Sequence, residues 1–167
     1  MSTPERIFIV RSLLLPTSDV AAWQVIGQFG QPQLWLPGIT ATDTVRTVNG
    51  TYQRRCDTVL GEFHESLIEA GTHWHVYTID SGPLPVEEYR ALIGVKNLAA
   101  RRSGLLWAVS FKPLVDSTHA QRLVAAVLDA GISRLQTMFN AAPDLKTEWS
   151  GWQLPIDKLG IKVPPLP

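Results

Sequence analysis

A chain of 167 residues with 45% hydrophobic side chains is long enough for one well-filled core and too apolar for a disordered segment. Fifteen Lys and Arg balance fifteen Asp and Glu, which leaves no long-range field to gather nucleic acid or an anionic bilayer, and no apolar run is long enough to span one. The single Cys56 forms no internal disulfide, and residues 1–4 lack the basic start and apolar centre of a secretory leader, so a cytoplasmic location is expected.

The chain opens with a dense apolar run at 7–15, which reads as a buried strand. Pro16-Thr17-Ser18 stops it, and Thr17 or Ser18 caps a helix with Asp19 in its first turn. Val20, Trp23, Val25, Ile26 and Phe29 give that helix an apolar stripe; Gly30 ends it, and Pro32 and Pro37 keep the next stretch irregular. A strand is predicted over 39–48, followed by the hairpin signal Asn49-Gly50. Further strands are predicted over 51–59, 62–69, 73–79, 86–96 and 103–112, with turns near Gly61 and Gly71 and a loop at 81–85. From 119 to 142, Leu123, Val124, Val127, Leu128, Ile132, Leu135, Met138 and Phe139 recur at three- and four-residue steps, the stripe of a long helix closed by Pro143.

Strand, helix, six-strand meander and long helix define an α+β chain in which a curved antiparallel sheet of about seven strands wraps one C-terminal helix. Residues 1–143 are expected to form this domain. The extension 144–167 carries Trp149, Trp152, Leu154, Ile156, Leu159 and Ile161. It is too apolar to be only solvated and is expected to pack on the domain or on a second copy, as in a homodimer.

The order of certain residues resembles the polyketide cyclase/dehydrase group of the SRPBCC superfamily. Val20-x-x-Trp23, Phe29-Gly30, Trp35 and Pro37 look like the group's opening. Arg54, followed eleven residues later by Glu65-x-Leu67, is similar to its central motif, as are Tyr77, Tyr89 and Trp107-x-x-x-Phe111 later on. The likeness covers residues 7–142. It implies the START-like, helix-grip fold shared with the birch-pollen allergen and the plant abscisic-acid receptors. It also implies an internal cavity for a small hydrophobic molecule and no cofactor.

Side-chain parity can be followed without the family. Short turns that pair Cys56 with Glu65, Glu65 with Tyr77 and Leu67 with His75 put Arg54, Phe63, Glu65, Leu67, His75, Tyr77 and Ile79 on one face. Tyr89, Ala91, Ile93 and Val95, then Leu105, Trp107, Val109 and Phe111, continue that face against the helix. Trp74 and Val76 fall on the other face, to meet the tail or a partner. With the resemblance, Trp35, Arg54, Phe63, Leu67, Tyr89, Ile93, Trp107, Val127, Gly131 and Leu135 are the expected ligand-binding residues. Glu65, His75 and Tyr77 are the candidates to move protons if the chemistry is of cyclase or dehydrase type; a carrier or sensor needs the same cavity without them.

Plainer readings stand beside these. Arg54 and Glu65 can simply neutralise each other across strands. Gly131 either widens the cavity or lets the helix approach a strand closely. His73-x-His75 lacks an evident third ligand, so no metal is expected. No GxSxG, phosphate-loop or dinucleotide motif occurs.

Overall fold

In the computed structural model, which describes residues 4–143, β1 (Ile7–Leu15) runs without interruption to the Pro16 stop. Ser18 then caps α1 (Asp19–Ile26), its Oγ accepting the Ala21 N–H at 3.1 Å. The helix buries Ala22 and Ile26 while Val20 faces solvent, so its apolar stripe is narrower than the sequence pattern implies. A 3₁₀ turn at Pro32–Leu34 leads to β2 (Ile39–Arg46) and β3 (Tyr52–Thr58). Between them Gly50 adopts φ +82°, the left-handed region that the Asn49-Gly50 signal calls for.

The meander continues through β4 (Gly61–Gly71), β5 (Trp74–Ser81), β6 (Val86–Ala99) and β7 (Arg102–Pro113). All neighbours are antiparallel, and β1 closes the sheet against β7. α2 (Ser117–Phe139) follows, capped by the Asp116 carboxylate on the His119 N–H. Asn140, in the left-handed conformation at φ 53°, ends α2; Pro143, expected to close it, instead joins the two-residue β8 (Ala142–Pro143) beside Leu13. The strand order is β2-β3-β4-β5-β6-β7-β1-β8, the expected seven strands plus this short edge.

Two registers differ from the parity argument by two residues. Val59 and Leu60 alone make the β3–β4 turn, so Arg54 stands opposite Glu65 and Cys56 opposite Phe63. Leu67 pairs with Tyr77 rather than His75, and a bulge after Leu67 brings Ala70 opposite His75. A slip of two preserves the face of every side chain. The concave face therefore holds Phe63, Glu65, His75 and Tyr77 as the pattern requires.

On that face the α2 side chains Val124, Leu128 and Leu135 pack with Ile9, Leu13, Ile93, Leu105, Trp107, Val109 and Phe111. On the opposite face Val76, Leu92 and Ala108 form a separate apolar row with Phe8, Val10 and Trp74. Among the described residues no helix is long and apolar enough to cross a membrane. The tail 144–167 lies outside the described residues.

Candidate functional site

The space between sheet and helix is filled unevenly. Towards β6, β7 and β1 it is solid with side chains. Between the first half of α2 and β2, β3 and β4 a cavity of about 330 Å³ is left, at the small end of the size range of ligand pockets. Leu123, Ala126, Val127 and Ala130 form its helix wall. Ile39, Arg54, Cys56, Thr58, Phe63 and Glu65 form its sheet wall. Leu36, Pro37, Gly38, Val59, Leu60 and Leu84 come from loops. Val59, at the β3–β4 turn, is 81% exposed and marks the mouth.

Polar character is concentrated at one place on this wall. The Arg54 Nε–H donates to a Glu65 carboxylate oxygen in a buried ion pair between directly opposed residues. One terminal guanidinium nitrogen of Arg54 also donates to the Phe29 carbonyl at 2.9 Å. The guanidinium lies over the rings of Phe29 and Tyr77, with 4.3 Å and 5.1 Å to their centroids. Burial disfavours the charge on Arg54, but Glu65 and Tyr77 more than offset it, and its pKa lies above the ordinary value. Beside the pair, burial first and the Glu65 carboxylate second push the Cys56 thiol up, so it stays protonated at neutral pH and is a poor nucleophile.

Of the residues expected from sequence, Arg54, Phe63, Glu65 and Val127 lie on the cavity wall. The others stand outside its lining, each for a packing reason. His75 sits in a ring cluster with Trp23 at 5.3 Å and with Phe29 and Tyr77 at 5.8 Å. Burial, helped by the Arg54 charge, lowers its pKa to about 3, so the imidazole is neutral at pH 7. The Tyr77 hydroxyl accepts the Trp107 indole N–H at 3.1 Å, and burial followed by Glu65 raises its pKa.

Tyr89 stacks on Phe111, while Ile93 and Leu135 have no exposed surface. Leu67 packs at the margin of the core. Trp35 meets Trp107 edge-on at 5.1 Å. A Cβ on Gly131 would fall 2.8 Å from the Trp107 ring, 2.9 Å from Leu36 and 3.1 Å from Trp35. The missing side chain thus serves close packing and does not widen the cavity. His73, at φ 59° in the β4–β5 turn, bonds Asp19 at 3.0 Å, away from the cavity. Among the described residues no three His, Cys, Asp or Glu side chains gather as metal ligands.

Cavity residues outside the expected ligand-binding set include Leu36 and Leu84, from the two loops that in the resembled fold frame the cavity mouth, Leu123 of the helix stripe, and Ala126 and Ala130. Two signals were present in the chain. The loops at 35–38 and 81–85 combine apolar residues with Pro and Gly, and Ala126 and Ala130 repeat at a four-residue step beside Leu123 and Val127.

A curved antiparallel sheet gripping a long C-terminal helix, with an apolar cavity between them, is the START/Bet v-like helix-grip architecture. The chain belongs to the polyketide cyclase/dehydrase and lipid transport family, whose profile matches residues 11–139. A crystal structure of an uncharacterized protein from Bacillus thuringiensis is 28% identical, with TM-score 0.71 over 80% of this chain and 98% of that one. A START superfamily protein from Mycobacterium smegmatis is 13% identical, with TM-score 0.68 over 80% of this chain and 97% of that one. The Zhui aromatase/cyclase from Streptomyces sp. R1128 is 10% identical, with TM-score 0.64 over 78% and 88%. The last two share the fold alone. Among curated proteins none matches the chain.

Proposed function

We propose that this protein binds a small, neutral, largely apolar molecule, aromatic or lipid-like, in the cavity between α2 and β2–β4. The observation that carries this reading is the cavity itself, apolar on nearly every side, its only charged groups among the described residues being the self-neutralised Arg54–Glu65 pair. A charged ligand would find no free counter-charge there, whereas a hydroxyl or carbonyl could share the pair's unused donor and acceptor capacity. Two features favour binding over proton-transfer chemistry. Glu65 is engaged by Arg54. His75 and Tyr77 are off the cavity wall, one a weak base and the other hard to ionise. Cyclase- or dehydrase-type turnover is the competing reading, with Glu65 as the one candidate proton carrier that reaches the cavity.

Native mass spectrometry of freshly purified protein should reveal a co-purified neutral small molecule. Uptake of 2-naphthol, followed by its fluorescence, should be lost in Val127→Trp, whose ring fills the cavity from the exposed flank of α2. Equal uptake by wild type and Val127→Trp would overturn the reading. If Glu65→Gln abolished turnover of a bound substrate without altering its uptake, the enzyme reading would replace the carrier reading.

A further inference from the structure

Val76, Leu92 and Ala108 face one another across β5, β6 and β7, and Val10 of β1 continues the row opposite Ala108. These residues alternate with those that meet α2, so they stand on the convex face. Val76, Leu92 and Ala108 are 1%, 0% and 1% exposed, and Leu106 in the adjoining row is 1% exposed. The described apolar residues packed on them are Phe8, Val10 and Trp74, all from the sheet itself. Neighbours in the plane of a sheet shield a side chain's flanks and leave its tip open. A leucine with no accessible surface therefore needs a layer above it.

The chain offers one. After α2 it pairs with Leu13 and Leu14 as β8, on the outer edge of β1, so the segment 144–167 starts at the border of this face. That segment carries Trp149, Trp152, Leu154, Ile156, Leu159 and Ile161. Only three strand-to-strand steps separate β1 from β5. At ~4.8 Å per step and ~3.3 Å per extended residue, less than half of the segment spans them. We propose that 144–167 lies across the convex face of β1, β7, β6 and β5, with its Trp and aliphatic side chains over Leu92 and Ala108. The shielding exists within a single chain, which favours the chain's own segment over a second copy. The sheet is then apolar on both sides, with α2 and the ligand cavity on one and the extension on the other.

A nitroxide on the full chain tests this, attached through Arg90→Cys or Lys96→Cys in a Cys56→Ser background. Both positions share the face of Leu92 and flank it along β6, two residues before and four after; two sites keep the test alive if one substitution disturbs the fold. With the indoles ¹⁵N-labelled, the Trp149 and Trp152 signals should lose most of their intensity in the nitroxide-bearing chain. They should keep it when unlabelled nitroxide-bearing chain is mixed with ¹⁵N chain lacking the nitroxide. Broadening in the mixture as well would mean that the face joins two copies and would overturn the proposal. So would full intensity in both samples.

Discussion

Arg54 and Glu65 show how much a single pair of positions depends on its partner. Both are buried, so the cost of removing either charge alone is dominated by the other charge left stranded. Glu65→Gln should lower stability by about 3 kcal/mol, measured by urea unfolding. The double variant Arg54→Met/Glu65→Leu should lose clearly less than the sum of the two single changes; additive losses would mean that the pair is not coupled. His75 gives a pH prediction. Its pKa is about 3 in the folded chain against an ordinary 6.5, so only the unfolded chain takes up a proton between these values. Stability from this source is full above pH 6.5 and is lost as pH falls towards 3. One proton gives a decline of about 2 kcal/mol between about pH 7 and pH 5. His75→Phe keeps a ring in the cluster and should remove that part of the slope in urea midpoints taken across the range. An unchanged slope would place the acid sensitivity elsewhere. The shared face of Arg54, Glu65, His75 and Tyr77 was legible in the chain because parity survives a two-residue register error. Which of them reaches the cavity was not, because that depends on how the rings of Phe29, Trp107 and Trp35 fill the space behind it.

At the scale of elements, α2 shows what periodicity encodes and what it leaves open. Its stripe locates Val124, Leu128 and Leu135 at the core and leaves Leu123 and Val127 for the cavity. Pattern alone does not tell a helical glycine that opens space from one that permits contact. At Gly131 the distances to Trp107, Leu36 and Trp35 decide for contact. Gly131→Ala gains about 1 kcal/mol of helix propensity but must displace a packed indole, so a net loss of about 1 kcal/mol is expected. Gly131→Leu should cost about 3 kcal/mol, visible as a lowered thermal midpoint. A stabilised Gly131→Ala would show that the two indoles yield easily. The end of α2 carries a related lesson. Pro143 looked like the stop, yet Asn140 supplies the left-handed turn three residues earlier, which frees Ala142 and Pro143 to pair with β1. The places of the hairpins were legible because Asn49-Gly50 and Gly61 mark them, but not their lengths and registers: β2 ends at Arg46 and β3 begins at Tyr52, and the next turn falls at Val59-Leu60. The β4–β5 bulge has no comparable signature in the chain.

Across the whole molecule, the uneven filling between sheet and helix divides the fold into two parts of different expected stability. α2 packs on β1 and β7 through fully buried side chains, whereas β2, β3 and β4 face it across the cavity. β2 is also an edge strand with most of its side chains exposed. Regions with few buried apolar contacts open at lower free energy than the global transition. Amides of β2 and β3 should therefore exchange well before those of β6 and β7 in the ligand-free protein. A ligand lodged between α2 and the β2–β4 wing adds the missing contacts to that wing alone. At a free concentration about a hundredfold above its dissociation constant it stabilises the competent state by about 2.7 kcal/mol, which corresponds to exchange slowed by about two orders of magnitude. With 2-naphthol as the probe, hydrogen–deuterium exchange mass spectrometry should show that slowing in peptides from β2–β4 and the adjoining flank of α2, with little change in β6 and β7. Equal protection throughout the sheet would mean that the molecule opens as one unit. Protection confined to the convex face would place the ligand outside the cavity altogether.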